Sequence, residues 1–274
     1  MITVEQYVRY RSEGHLIVRG LVGPEEVAEL LADTDIGPAR PSGFERRHML
    51  HRELEIHERF MLHPGVLDVV EGLVGPDVLA LQTMLFVKRP GSEGQGYHQD
   101  SFHILTWPDT LIGAWLALDR ADEENGCLWI TPGSQHEPVY PDVDELAGHG
   151  GDRQLVDIPS IAGADDPDES RNDLAAVAAK YAGREVPAVV EPGDVVFFGG
   201  RVLHRSHANG SAHRLRRSFV GHYCNARSYV PWDDDPLEDG EMANGRHILA
   251  RGQTHLPYAR PRLGRYAPPP GLSA

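Results

Sequence analysis

The sequence predicts a mainly β protein, a barrel or double-sheet jelly roll with helices at its N-terminal end. Three observations predict it. Seven runs of β-type residues lie between Val78 and Tyr223, Pro/Gly/Asn/Asp punctuation separates them, and no strand–helix alternation of the kind that builds a parallel sheet is present. At 274 residues the chain reads as one domain, 1–274, interrupted by a long insert at 142–185.

The helical preamble comes first. Thr3 and Gln6 have the form of a capping box, and Val4, Tyr7 and Val8 recur at helical spacing, so a short helix opens the chain and Gly14 stops it. His15 to Leu21 reads as a strand. Gly23-Pro24-Glu25-Glu26 then starts a helix through Val27, Leu30 and Leu31, with Pro in its first turn. From Gly43 to His63 the chain is rich in His, Arg and Glu, its apolar spacing is more helical than extended, and the expectation is a solvated face. On a helix His51 and Glu53 would point about 200° apart, which sets this His-x-Glu aside as a metal site. Pro64 to Val74 is an amphipathic helix ended by Gly75-Pro76.

The β-type runs are Val78 to Val87, Tyr97 to Leu105, Leu111 to Leu118, Cys127 to Thr131, Val186 to Val190, Val195 to Phe198 and Ser218 to Tyr223. Turn signals such as Lys88-Arg89-Pro90-Gly91, Glu124-Asn125-Gly126 and Glu191-Pro192-Gly193-Asp194 divide them. The insert carries Gly148, Gly150, Gly151 and Gly163, the acidic run Asp165-Asp166-Pro167-Asp168-Glu169 and a short helix, Leu174 to Tyr181. Loops this long inside compact domains usually serve function, and its place between two core strands makes it an expected lid.

Composition narrows the partners. The formal net charge is −15, which argues against wrapping a phosphate backbone, and an acidic protein that binds an anion must gather its few cations locally. Cys127 and Cys224 are the only cysteines, too few for a disulfide framework. The N-terminus lacks a basic and then apolar leader pattern, and no stretch approaches membrane-spanning length. The expectation is a soluble cytoplasmic protein with a small-molecule substrate and neither nucleic acid nor membrane as partner, its oligomeric state open.

The chemistry centres on His98-Gln99-Asp100. In a strand, side chains at i and i+2 leave the same face, so His98 and Asp100 could hold one metal ion together. A second histidine would complete the 2-His-1-carboxylate set of non-heme Fe(II) oxygenases. With 15 His in 274 residues, about one His-x-Asp is expected by chance, so the downstream company must decide. That company is Val202-Leu203-His204-Arg205-Ser206-His207, followed by Arg214, Arg216 and Arg217 at the start of the last β-type run. A guanidinium offers a rigid two-pronged donor for a carboxylate, where Lys is less directional. Strand parity puts Arg216, Ser218, Val220 and His222 on one face and Arg217, Phe219, Gly221 and Tyr223 on the other. The residues alone leave His204 and His207 open as the second histidine, and leave the choice of arginine open.

His-x-Asp, a later histidine on a new strand and an arginine opening the next one together resemble the phytanoyl-CoA dioxygenase family of Fe(II)/2-oxoglutarate-dependent oxygenases. Further matching stretches are Thr83-Met84-Leu85-Phe86-Val87-Lys88-Arg89-Pro90, Gly113-Ala114-Trp115-Leu116-Ala117-Leu118, Glu124-Asn125-Gly126-Cys127-Leu128-Trp129-Ile130-Thr131-Pro132-Gly133-Ser134-Gln135-His136 and Pro192-Gly193-Asp194-Val195-Val196-Phe197. The resemblance implies a double-stranded β-helix with iron inside it, held by His98, Asp100 and His204. It implies that Arg216 grips the distal carboxylate of the 2-oxoglutarate co-substrate, and that Ser206, Trp115 and Met84 contact that co-substrate. His207 and His213 then read as loop residues. It further implies oxidative decarboxylation with O2 and hydroxylation of a substrate C–H bond, because halogenating relatives have a small residue where this chain has Asp100. A secondary metabolite or amino-acid derivative is the expected substrate. The rival readings are a non-catalytic small-molecule-binding β-barrel and a cupin-type metalloenzyme that does not use 2-oxoglutarate.

Overall fold

In chain order, α1 (Val4–Glu13), β1 (His15–Val18), α2 (Pro24–Asp33), β2 (Phe44–His48), α3 (Glu55–Met61) and α4 (Pro64–Val74) precede the long strand β3 (Val78–Lys88). There follow β4 (Gln95–His98), α5 (Asp100–His103), β5 (Ile112–Ala117), β6 (Leu128–Ile130), α6 (Asp173–Ala178), β7 (Val186–Pro187), β8 (Val195–Gly199), β9 (His204–Ser206), β10 (Arg216–Asn225) and β11 (Ile248–Arg251). This is a computed structural model, and it describes residues 2–33, 44–141, 161–239 and 241–256.

Two antiparallel sheets face each other. The larger runs β1-β8-β5-β10-β3-β11, with β2 pairing the other end of the same β3 edge, and the smaller runs β4-β9-β6-β7. This is the jelly roll the sequence predicts. Neighbours in the larger sheet are far apart in sequence: Val18 pairs Val195, and Lys88 pairs Arg216.

Period-two alternation decides the layers. Leu116, Phe197, Phe219 and Tyr223 leave the outer face of the larger sheet and pack with Leu30, Phe60, Met61 and Leu67 of the N-terminal helices. Trp115, Val196, Phe198 and Val220, one residue away on the same strands, leave the inner face and meet Leu128 and Ile130 of the smaller sheet. The helices thus cover one face, and the space between the sheets holds the site.

Local chemistry sets the element ends. Thr3 and Gln6 form the reciprocal capping box, and Gly14 closes α1 in a left-handed conformation, φ 81°, with its N–H on Tyr10 O. The helix at Pro64–Val74 lies where its signals place it. The expected β runs form with shifted ends, β5, β6 and β7 shorter and β3, β8 and β10 longer than the sequence predicts. Three expectations need correction. Tyr97 to Leu105 is not one strand: β4 ends at His98, Gln99 is still extended, and Asp100 opens a helical turn. Phe44–His48 is an edge strand on β3 rather than helix. The His-rich run is not a solvated face either, since His51, His57 and Glu58 are buried and the His51 ring meets Thr83 Oγ1 at 3.0 Å. Among the described residues no helix is long and apolar enough to cross a membrane.

Candidate active site

β4 and β9 are adjacent antiparallel strands whose pairing makes His98 and His204 register partners. Their Nε2 atoms lie 3.7 and 3.6 Å from Asp100 Oδ1. The donor atoms of the three all fall within 4.8 Å of one another, and no other such grouping occurs among the described residues. Extended backbone through Gln99 keeps Asp100 on the His98 side, so the same-face relation survives although the strand stops.

Hydrogen bonds fix which atoms are offered. His98 Nδ1 donates to Gly96 O at 2.9 Å and His204 Nδ1 to Val202 O at 3.0 Å, which leaves both Nε2 lone pairs facing the centre. The Gln95 amide, 3.2 Å from His98 Nε2, finds an acceptor there. His222 Nε2 donates to Asp100 Oδ2 at 3.2 Å, so Oδ1 is the oxygen left for a metal. Two imidazole nitrogens and one carboxylate oxygen, neutral, deprotonated and converging from one side, fit Fe(II) with positions left over. Burial pushes His204 down to about 4, with His98 adding to the effect against the pull of Asp100. Burial alone would raise the Asp100 carboxyl, but His204 and the His222 hydrogen bond outweigh it and hold it well below the usual carboxylate range.

A cavity of about 300 Å³ opens beside these donors, lined by Met84, Trp115, Ser206, Arg216 and His222 among others. Its inner end is positive. The Phe44 ring has Arg46 at 4.8 Å, Lys88 at 4.9 Å and Arg216 at 5.5 Å from its centroid. Arg216 is 2% exposed and donates from Nε to Gly126 O and from one terminal nitrogen to Ser218 Oγ, while Lys88 Nζ donates to Ser206 Oγ at 2.9 Å and to His207 O at 2.6 Å. Among the described residues no carboxylate comes within ion-pair range of either cation. Burial pushes Arg216 down to about 10 and Lys88 down to about 6, Arg216 adding to the second. A buried guanidinium without an anion, with the Lys88 amine beside it ready to take up a proton, makes a place where an anion is favoured.

Parity separates the arginines. Arg217 points outward and forks onto Asp119 at 2.6 and 2.8 Å, and Arg214 pairs with Asp122 and Glu124 at the surface. His207 and His213 are exposed and lie outside the donor grouping, with His207 against the edge of Trp129. Lys88 and His222 belong to the site by position. The first is hidden in what reads as turn punctuation, and the second was readable from its shared face with Arg216. Of the insert, 142–160 lies outside the described residues, including Gly148, Gly150 and Gly151. Its later part packs Ile161, Leu174 and Val177 against Tyr97 and Leu203, next to the strands of His98 and His204.

The fold and the donor set define a double-stranded β-helix protein with a 2-His-1-carboxylate grouping between its sheets. A family model described as phytanoyl-CoA dioxygenase matches residues 10–218, and the chain belongs to that family. It is 32% identical over 174 residues to phytanoyl-CoA dioxygenase domain-containing protein 1 of Danio rerio, covering 60% of this chain and 51% of that protein. It is 25% identical over 251 residues to the peroxisomal phytanoyl-CoA dioxygenase of Rattus norvegicus, covering 81% and 68%. The chain thus matches about half to two thirds of the length of these relatives. Among solved structures, the non-heme alpha ketoglutarate dependent epimerase SnoN from nogalamycin biosynthesis superposes with a TM-score of 0.65 at 22% identity, over 90% of this chain and 98% of that one. CytC3 with Fe(II) and alpha-ketoglutarate gives 0.62 at 20% identity, over 96% and 93%. At such identities these likenesses bear on the fold.

Proposed function

We propose that this protein is an Fe(II)- and 2-oxoglutarate-dependent dioxygenase that hydroxylates a C–H bond of a small molecule, a secondary metabolite or an amino-acid derivative, in the cytoplasm. The observation that carries the reading is the pairing of two sites in one cavity: the His98/Asp100/His204 donors and, at its inner end, Arg216 with no carboxylate partner among the described residues. A 2-oxo acid with a distal carboxylate needs both, and a protein that only binds a ligand has no reason to assemble them.

In this reading His98 Nε2, His204 Nε2 and Asp100 Oδ1 hold the metal. Arg216 receives the distal carboxylate, aided by the Ser206 hydroxyl, whose oxygen already accepts from Lys88 and whose own hydrogen is free to donate. Trp115 and Met84 wall the co-substrate's chain. Bound Fe(II) supplies the coordination positions and redox chemistry that 2-oxo acid and O2 require. The protein's own work is to orient the reactants and keep water out. A small-molecule substrate suits a cavity at the lower end of the usual ligand-pocket range.

The test is turnover of 2-oxoglutarate to succinate by the Fe(II)-loaded protein across a panel of metabolites. Substrate-dependent succinate formation is expected. Oxygen uptake indifferent to 2-oxoglutarate would favour a cupin-type enzyme, and ligand binding without turnover a non-catalytic barrel.

A further inference from the structure

The insert sends one carboxylate to the metal donors. Asp165 Oδ1 lies 3.1 Å from His98 Nδ1 and 2.9 Å from Gln95 Nε2, and Oδ2 lies 3.2 Å from His103 Nε2. Its backbone is pinned to β4, since Asp165 N donates to Tyr97 O at 3.3 Å and Gly96 N donates to Asp165 O at 3.1 Å. Asn172 adds a clamp, its amide donating to Tyr97 O at 3.0 Å and to Asp166 O at 3.2 Å.

The fit is tight. A Cβ on Gly96 would collide with the Asp166 carbonyl oxygen, so the insert lies against this strand at a separation only glycine permits. Asp165 itself takes a left-handed conformation, φ 69°, which Asp tolerates better than most residues. The conformation is spent on aiming its carboxylate at the ring of His98, two residues from the glycine it pairs with.

We infer that Asp165 is a positioning residue for the metal centre: from the insert, it sets a carboxylate 3.1 Å from His98 Nδ1, beside the Gly96 O that accepts the proton, and so steadies the ring that presents Nε2 to the metal. The inference rests on the metal site proposed above. Its physical basis is general, because a carboxylate on the far nitrogen of a ligating imidazole fixes tautomer and orientation and raises ligand basicity. Asp165 brings a carboxylate beside that nitrogen of His98, whose proton goes to Gly96 O, while His204 Nδ1 has the Val202 carbonyl and no carboxylate at that distance among the described residues. The consequence is that metal occupancy and docking of the 161–172 segment favour each other, as linkage requires when one side chain serves both.

Co(II) is the probe, titrated into the full-length apoprotein and followed by its absorption bands. Asp165→Asn, which keeps the backbone preference and an acceptor oxygen but removes the charge, should weaken Co(II) binding by about 10- to 100-fold. Asp166→Asn, one residue away and paired with Arg171, should leave it unchanged. In the wild type, without any substitution, Co(II) should slow hydrogen exchange at the Gly96 amide, the donor to Asp165 O. Wild-type affinity in Asp165→Asn, equal losses in both variants, or Gly96 exchange indifferent to Co(II) would each overturn the inference. Co(II) binding that survives His98→Ala would instead take down the metal site, and the inference with it.

Discussion

His98 and His204 face each other across β4 and β9 with ring centroids 4.0 Å apart, each ring held by the carbonyl two residues before it. Neither can be lost without unmaking one side of the donor set. His98→Ala, Asp100→Ala and His204→Ala should each abolish tight Fe(II) or Co(II) binding, a larger loss than the roughly 10- to 100-fold typical of an outer partner. His207→Ala, at an exposed loop position, should keep wild-type affinity. Metal titration checks this, and loss in His207→Ala with retention in His204→Ala would reassign the ligand.

Arg216 and Arg217 are neighbours with opposite outlooks, one buried beside Trp115 and Phe44, the other forked onto Asp119. Arg216→Ala should raise the 2-oxoglutarate KM by about 10- to 100-fold, the loss of a charge-assisted pair worth roughly 1.5–3 kcal/mol. Arg217→Ala should change it little, and metal affinity should hold in both. Equal KM effects would mean that the co-substrate is gripped elsewhere.

His222 holds the Asp100 oxygen that faces away from the other donors. His222→Phe fills the space without donating, so the carboxylate is free to turn and offer both oxygens or neither. Metal affinity should fall by about 10- to 100-fold. His222→Gln, which can still donate, should recover part of the loss. A Phe variant with unchanged affinity would leave His222 a packing residue only.

Lys88 makes stability depend on pH. Burial pushes its ammonium down to about 6 from an ordinary 10.5. Between those values the unfolded chain binds a proton that the folded protein does not, so stability of the apoprotein rises with pH, by up to about 1.4 kcal/mol per pH unit from this group. The lowered histidines act below about pH 6.5, and the thiols act above about pH 8.5, which leaves pH 6.5 to 8 as the clean window. Urea unfolding across it should show the slope in the wild type and a flatter one in Lys88→Met. Parallel slopes would mean that the amine stays charged when buried.

Much of this was legible because it depends on short periods. Period-two parity puts Arg216 and Arg217 on opposite faces whatever the rest of the fold, the resemblance chose Arg216 as the inward one, and the i, i+2 relation of His98 and Asp100 needs only that Gln99 be extended. What stayed hidden depends on distant pairing. Phe-Glu-Arg-Arg-His has no apolar alternation and becomes β2 only because β3 offers it an edge, with Phe44 stacked on Phe86 at 5.4 Å. Lys88 reads as the start of a turn and is instead the buried end of β3. Asp165 stands in an acidic run whose members look alike, and only its contact with β4 tells it from Asp166.

The interleaving of the larger sheet, where β1 from the start of the chain pairs with β8 and β3 with β10, fixes when the protein can work during its synthesis. A ribosome that has released His98 and Asp100 still has His204 and Arg216 to make, and β3 waits for β10 before its long edge is covered. The strand pairings join segments far apart in the chain, the pattern that slows folding and leaves strand edges open while it proceeds. The nascent chain therefore has two of the three metal donors well before it has the third or the arginine. A complete donor set belongs to the stage after β9 and β10 have been made and have paired with β4 and β3.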